Sequence, residues 1–129
     1  MQLETNAAVC AIIQDKATGK ILSVSRKNNY ADMNLPGGKV DFGETLKEAL
    51  VRELLEETGY SIKNISEDMY VDMDNSFIVS CFKAEIDCNK KRLDISKDEG
   101  IFDWISIDKL LNGSYNNYNK KALKYFKIT

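Results

Sequence analysis

Three glutamates near the end of a predicted helix are the residues whose types and spacing point most directly to chemistry. Glu53, Glu56 and Glu57 fall within an arc of about 100° around a helix axis. Like charges three or four residues apart repel one another, and the last turn of a helix favours cations over carboxylates. A divalent cation would relieve both problems, because hard cations prefer carboxylate oxygens. An ordinary charged helix surface is the alternative that the helix alone leaves open.

The loop that precedes this helix favours the metal site over a charged surface. Pro36 stiffens the loop, and Gly37 and Gly38 allow the backbone to approach a ligand closely. Lys39 supplies a positive charge that suits a phosphate group. A glycine loop alone is weak evidence. A glycine loop that runs into three clustered carboxylates predicts a site for a metal ion and a phosphate.

The helix that carries the glutamates is predicted over residues 44–58. Gly59 stands where the end of a helix favours a positive φ. The apolar face of the helix is formed by Leu46, Leu50, Val51, Leu54 and Leu55. Because this face needs a partner, the helix is expected to pack on a sheet.

Strands are predicted on both sides of this helix, and further helices near the end of the chain. The predicted strands are residues 7–14, 21–26, 60–72, 77–87 and 101–105, with a hairpin connection at 73–76. Residues 27–34 and 112–119 are predicted as polar loops, and residues 107–111 and 119–127 as helices. This order predicts an α/β fold in which helices cover a mixed sheet.

Composition and charge exclude several classes of protein. The chain has 129 residues, of which 43% are hydrophobic and 29% charged, so one domain over residues 1–129 is expected. A net charge of −2 disfavours a nucleic-acid partner. The first residues are polar and no apolar run approaches the length of a membrane span, so a cytoplasmic protein without a membrane partner is expected. The oligomeric state stays open, with a homodimer among the alternatives.

Histidine is absent from the sequence, which narrows the chemistry further. Its absence removes catalysis by serine–histidine and cysteine–histidine pairs and all imidazole metal ligands. Oxygen ligands therefore predict Mg²⁺, Mn²⁺ or Ca²⁺ rather than structural zinc. The three cysteines form no C-x-x-C pair, and Cys10 and Cys81 are predicted to be buried free thiols.

The segment from Gly38 to Tyr60 resembles the signature of the Nudix hydrolases, among them the small MutT-like nucleotide pyrophosphohydrolases. That signature is Gly-x5-Glu-x7-Arg-Glu-U-x-Glu-Glu-x-Gly-U, where U is a bulky aliphatic residue. Every fixed position is matched here, from Gly38 through Glu44 and Arg52-Glu53 to Glu56-Glu57 and Gly59. The last position holds Tyr60, which is bulky and suits the start of a strand.

The resemblance implies an α/β/α sandwich and the hydrolysis of a nucleoside diphosphate linked to another group, with Mg²⁺ or Mn²⁺ as cofactor. It assigns Glu53, Glu56 and Glu57 as metal ligands, with the carbonyl of Gly37 as an addition. By the same resemblance, Arg52 orients Glu53, and Glu44 supports the site from the start of the helix.

The resemblance leaves two candidates for the general base, Glu53 and Glu99. Glu99 precedes Trp104 by five residues, which is similar to a Glu-x4-Trp pattern late in the family's domain. Because Arg52 is adjacent and the proposed metal ions are within reach, Glu53 is expected to have a low pKa, which suits a metal ligand better than a base. An ordinary loop carboxylate is the alternative for Glu99.

The substrate is less well defined by the sequence than the metal site. The candidate substrate-binding residues are Gly38, Lys39, Phe77 and Trp104, with a core position as the alternative for both aromatic residues. No proline follows Pro36, which disfavours the ADP-ribose hydrolases that the resemblance would include. A nucleoside triphosphate cleaved to monophosphate and pyrophosphate is therefore predicted. The alternatives are a dinucleoside polyphosphate or nucleotide-sugar hydrolase and a non-catalytic nucleotide-binding module.

Overall fold

The structure is a computed structural model that describes residues 6–98 and 100–128. Its strands are β1 (Ala7–Ile12), β2 (Ile21–Arg26), β3 (Asn29–Asn34), β4 (Gly37–Lys39), β5 (Ile62–Asp74), β6 (Phe77–Ile86) and β7 (Phe102–Ile105). Its helices are α1 (Leu46–Thr58), α2 (Ile107–Leu110) and α3 (Asn116–Tyr125). Within these described residues, no helix is long and apolar enough to cross a membrane.

The strands form two sheets where the sequence predicted one. The larger sheet has the order β4-β1-β6-β5 and is mixed, because β1 runs parallel to β6 while the other pairs are antiparallel. The smaller sheet has the order β3-β2-β7 and is antiparallel. The two sheets meet where the amide of Leu22 donates a 2.9 Å hydrogen bond to the carbonyl of Ile13.

The core lies in two layers, one on each side of β1. Val9 and Ala11 pack in the layer that includes Leu50 and Leu54 of α1. The alternate strand residues, such as Ile12, face a second layer that includes residues of α2 and α3. Because side chains of a strand alternate between its faces, β1 contributes to both layers. This arrangement confirms the predicted α/β/α sandwich.

Both ends of α1 are fixed by capping residues. Thr45 caps the first turn, and its hydroxyl and the carboxylate of Glu48 form a reciprocal capping box. At the other end Gly59 has φ 77°, and its amide donates to the carbonyl of Leu55. The predicted end of this helix at residue 58 is confirmed. The predicted apolar face is wrong at Val51, which is 43% exposed.

The predictions from sequence missed two strands, β3 and β4, and the start of helix α3. Residues 27–34 were predicted as a loop, but β3 lies there, at the edge of the smaller sheet, with its first three residues exposed. An edge strand surrounded by solvent needs no apolar alternation, so it carries no sequence signal. The glycine loop contains β4, and α3 begins inside the segment 112–119 that was predicted as a loop.

Candidate active site

The guanidinium of Arg52 lies at the centre of the acidic residues around the glycine loop. Its Nε and Nη2 atoms donate to the two carboxylate oxygens of Glu44 at 2.7 and 2.9 Å. Its Nη1 atom donates to Glu53 at 2.9 Å and to Glu56 at 3.4 Å, and Nη2 also donates to the carbonyl of Lys39 at 3.0 Å. The hydrogen bonds to Glu44 contribute most to a raised pKa of Arg52. Arg52 therefore contacts Glu53 directly and joins Glu44 to the metal-ligand candidates.

Glu53 is a half-buried residue of α1 whose carboxylate lies against Gly38 of the glycine loop. Burial raises its pKa above the ordinary value, even though the hydrogen bond and the charge of Arg52 act in the opposite direction. The expectation of a low pKa is therefore wrong for the metal-free protein. The reason is that desolvation of this carboxylate outweighs its ion pair.

The carboxylate of Glu57 is the most perturbed of the three glutamates. Burial, helped by the charges of Glu53 and Glu56, raises its pKa to about 8, although the amide of Gly37 favours the ionised form. That amide donates to the Oε1 atom of Glu57 at 2.8 Å. A buried carboxylate with a single amide donor and two like charges nearby suits a cation, because an adjacent positive charge would compensate its desolvation.

All three glutamates line one cavity of about 310 Å³, here called the glutamate cavity. Its other walls come from Val24, Ser25, Ser96, Gly100 and Ile101. Oxygen ligands of this kind fit Mg²⁺ or Mn²⁺. Among the described residues, however, no three acidic or cysteine side chains are already arranged to hold a metal ion. Arg52 engages one oxygen of each carboxylate, Oε1 of Glu53 and Oε2 of Glu56, so an ion shared by the two would be held through their other oxygens.

Both glycines of the loop are required by close approach. A Cβ atom on Gly37 would overlap the carbonyl oxygen of Val9 on the neighbouring strand. A Cβ atom on Gly38 would lie 2.5 Å from the carboxyl carbon of Glu53. Gly37 is thus needed for the pairing of β4 with β1, and Gly38 for the position of the Glu53 carboxylate.

Lys39 and Phe77 lie together on a second cavity of about 270 Å³, here called the aromatic cavity. The Nζ atom of Lys39 is 5.3 Å from the centre of the half-buried Phe77 ring. Tyr118 and Asn119 of α3 also line this cavity. The cavity offers an aromatic ring, an amide and a cation, which are groups that suit a nucleobase and a phosphate.

A third cavity of about 400 Å³ lies between the other two and is here called the connecting cavity. It shares Gly37 and Tyr115 with the aromatic cavity, and Glu57 with the glutamate cavity. Arg26 and Lys27 line it as well. The three cavities are therefore adjacent along one side of the glycine loop, with two cations between the aromatic residues and the glutamates.

Four predicted site residues are not among those that line the cavities. Glu44 and Arg52 lie beside the glutamates through the hydrogen bonds described above. The other two are Trp104 and Glu99. Trp104 packs in the core layer beneath α1, where its ring centre is 6.1 Å from that of Tyr60, and it lines none of the three cavities. Glu99 lies outside the residues that the structure describes. The next residue, Gly100, lines the glutamate cavity.

A polar network around Asn34 is the main feature of the cavities that the sequence did not reveal. The Oδ1 atom of Asn34 accepts from the side-chain amide of Asn119 at 3.2 Å and from the backbone amide of Tyr115 at 3.1 Å. Its Nδ2 atom donates to Asp32 at 3.1 Å and to Ser114 at 3.2 Å. The only sequence signal was the polar segment 112–119, whose role depends on contact with β3.

Replacing Asp32 by alanine is expected to destabilise the protein by about 1–3 kcal/mol at neutral pH, because the carboxylate accepts hydrogen bonds from Ser114 and Asn34. Burial opposes ionisation of Asp32, but these hydrogen bonds and the charge of Arg26 lower its pKa below the ordinary 3.8. A lowered pKa in the folded state stabilises above the unfolded pKa, and this contribution is lost as the pH falls through the folded pKa.

Urea unfolding of Asp32→Ala and wild type should therefore give a difference in unfolding free energy that is full at pH 7 and shrinks below about pH 4. Asp68→Ala, which removes an exposed carboxylate from β5, is the control and should change little. A difference for Asp32→Ala that stays constant with pH would contradict the prediction.

Comparison with known proteins agrees with the geometry. The sequence model of the NUDIX domain matches residues 4–126. A segment of 61 residues is 48% identical to the ADP-ribose pyrophosphatase of Methanocaldococcus jannaschii and covers 46% of this chain and 35% of that protein. A segment of 42 residues is 57% identical to the "Putative 8-oxo-dGTP diphosphatase" of Bacillus subtilis and covers 33% of this chain and 28% of that protein. These matches span about a third of the relatives' own length.

Solved structures show the same fold over the whole chain. The crystal structure of the MutT protein from Methanosarcina mazei superposes with a TM-score of 0.62 at 25% identity and covers 98% of this chain and 99% of that chain. Since the domain match extends over residues 4–126, the chain belongs to the NUDIX family. The predicted family and fold class are confirmed, and the family generally uses a divalent metal ion.

Proposed function

We propose that this chain is a metal-dependent pyrophosphohydrolase that converts a nucleoside triphosphate to a monophosphate and pyrophosphate. One observation carries the proposal. The glutamate cavity continues through the connecting cavity into the aromatic cavity, with Gly37 and Glu57 at the junctions. This order provides a place for a cation, then a phosphate chain, then a base.

The glutamate cavity would hold Mg²⁺ or Mn²⁺ through Glu53, Glu56 and Glu57. A bound divalent ion supplies charge neutralisation at phosphate oxygens and lowers the pKa of a bound water. Arg52 would keep Glu44 and Glu53 in place through its hydrogen bonds to both carboxylates. Glu53 or Glu99 would remove the proton from the attacking water. A base in this role must come within about 3 Å of the water oxygen.

The connecting and aromatic cavities would bind the rest of the substrate. Arg26 and Lys39 carry positive charges at opposite ends of the connection, where the phosphate chain would lie. Phe77 offers a half-buried ring for stacking on a base. Trp104 is left out of the proposed site because it lies in the core.

The names of the relatives support a nucleotide substrate without selecting one. One is named for ADP-ribose and another for 8-oxo-dGTP, and each aligns over about a third of its own length. ADP-ribose therefore belongs among the substrates to be tested, although the absence of a proline after Pro36 disfavours it. A dinucleoside polyphosphate and a nucleotide sugar complete the set.

The test is an assay of these nucleotides with Mg²⁺ or Mn²⁺, in which pyrophosphate and inorganic phosphate are measured separately. We expect a nucleoside triphosphate to release pyrophosphate and monophosphate, and excess EDTA to abolish the reaction. Activity that survives exhaustive chelation would contradict the metal-dependent mechanism. Tight nucleotide binding without cleavage of any substrate would instead support the non-catalytic binding module.

A further inference from the structure

Arg92 joins the end of the glutamate helix to the segment that follows β6. Its Nη1 atom donates to the carbonyl of Thr58, the last residue of α1, at 3.0 Å and to the carbonyl of Leu93 at 3.1 Å. The amide of Leu93 donates to the carbonyl of Gly59 at 2.9 Å. The chain around Leu93 is thus attached directly to the C-terminus of α1.

The guanidinium of Arg92 lies over two aromatic rings. The guanidinium carbon lies 4.9 Å from the ring centre of Phe102 and 5.9 Å from that of Tyr60. Such contacts between a cation and aromatic rings are attractive, because the face of each ring carries negative charge density. Because Tyr60 follows α1 and Phe102 begins β7, Arg92 connects three separate parts of the chain.

The position of Arg92 also meets an electrostatic need of α1. The last turn of this helix contains no basic residue of its own, while Glu56 and Glu57 lie in that turn. A cation near a helix C-terminus interacts favourably with the free carbonyls there. Arg92 is that cation, although it is remote from the helix in sequence.

The two segments that Arg92 joins both contribute to the glutamate cavity. Thr58 directly follows Glu57, and the segment after Leu93 leads to Ser96 and Gly100, and Glu57, Ser96 and Gly100 all line the cavity. The far end of that segment is fixed separately, since the amide of Ile101 donates to the hydroxyl of Ser25 at 2.9 Å. At its near end the segment is attached to the C-terminus of α1 by the Arg92 side chain and by the hydrogen bond from Leu93 to Gly59.

We infer that Arg92 is a positioning residue that fixes the distance between Glu57 and Ser96, which both line the glutamate cavity. The inference rests on the proposed function, because the cavity in question is the proposed metal site. Arg92 itself does not line the cavity, so its effect on metal binding and catalysis passes through the backbone of Thr58 and Leu93.

The test compares Arg92→Met, Arg92→Lys and the control Lys91→Met, which removes an adjacent exposed cation. Arg92→Met should weaken Mn²⁺ binding and lower kcat by about 10–100-fold each, as loss of a residue that supports metal ligands commonly does. The KM for nucleotide should stay within about threefold, since the aromatic cavity is not attached to Arg92. Arg92→Lys should recover part of the loss, because lysine keeps the charge but not the forked donors.

The measurements are Mn²⁺ affinity by electron paramagnetic resonance, steady-state kinetics, and hydrogen exchange of Thr58 and residues 93–98, all well below the melting temperature. Faster exchange in that segment together with weaker Mn²⁺ binding supports the inference. Wild-type metal affinity and exchange in a folded Arg92→Met variant would overturn it. If that variant does not fold, the same criteria apply to Arg92→Lys.

Failure of the proposed function is distinguishable from failure of this inference. A wild-type protein that cleaves no nucleotide would refute the proposed function. Metal affinity and hydrogen exchange would still decide the role of Arg92, because neither depends on turnover.

Discussion

Replacing Glu57 by glutamine is expected to lower kcat on the order of 10³-fold or more, equivalent to about 4 kcal/mol of transition-state stabilisation. The reason is that glutamine carries no charge with which to hold a divalent cation against the phosphate chain. The fold should survive, because the glutamine oxygen still accepts from the amide of Gly37. Glutamine is also neutral at every pH, so the repulsion by Glu53 and Glu56 that opposes ionisation of Glu57 no longer applies. Metal-free Glu57→Gln should therefore melt no lower than metal-free wild type.

The measurement is kcat at saturating nucleotide over a range of Mg²⁺ concentrations, with calorimetry in EDTA for stability. Glu85→Gln is the matched control, because Glu85 is an exposed glutamate of β6 that lines none of the three cavities. The control should keep wild-type kcat. A Glu57→Gln protein with wild-type kcat at saturating Mg²⁺ would refute the assignment of Glu57 as a metal ligand.

Helix α1 was predictable because the information that fixes it is local. Apolar spacing, the position of Gly59 and the glutamate spacing all lie within one short stretch of sequence, and the structure bears out each except the burial of Val51. Strands β3 and β4 were not predictable in this way. A polar edge strand and a strand of two glycines and a lysine form because β2 and β1 are already in place to pair with them.

The same distinction between local sequence information and long-range contacts applies to the residues of the site. The three glutamates share a cavity because they share a helix face. Asn34, Asn119 and Arg92 act across long separations in sequence, through contacts that exist only once the sheets and helices have packed. The raised pKa of Glu53 belongs to this group too, since burial cannot be judged from an adjacent arginine in the sequence.

Alanine in place of Gly38 is expected to lower kcat by about 10²-fold with little loss of stability, because misplacing a catalytic group by about 1 Å has this effect. The added Cβ atom would lie 2.5 Å from the carboxyl carbon of Glu53 and 2.7 Å from its Oε2 atom. These atoms are the far end of a flexible side chain, so the carboxylate moves and the backbone does not. The measurement is kcat and Mn²⁺ affinity, compared with the melting temperature of the same preparation.

Gly37→Ala is the matched contrast, because the atoms nearest to its added Cβ belong to the backbone of β1. A Cβ atom on Gly37 would meet the carbonyl of Val9 and lie 2.7 Å from the Cα atom of Cys10. Neither can move without opening the pairing of β4 with β1, so Gly37→Ala should lower the melting temperature as well as the activity. If Gly38→Ala keeps full activity while folded, the observed position of the Glu53 carboxylate is not required for the reaction. If Gly38→Ala instead unfolds like Gly37→Ala, the Glu53 side chain does not move aside, and the added Cβ atom displaces the backbone of the loop.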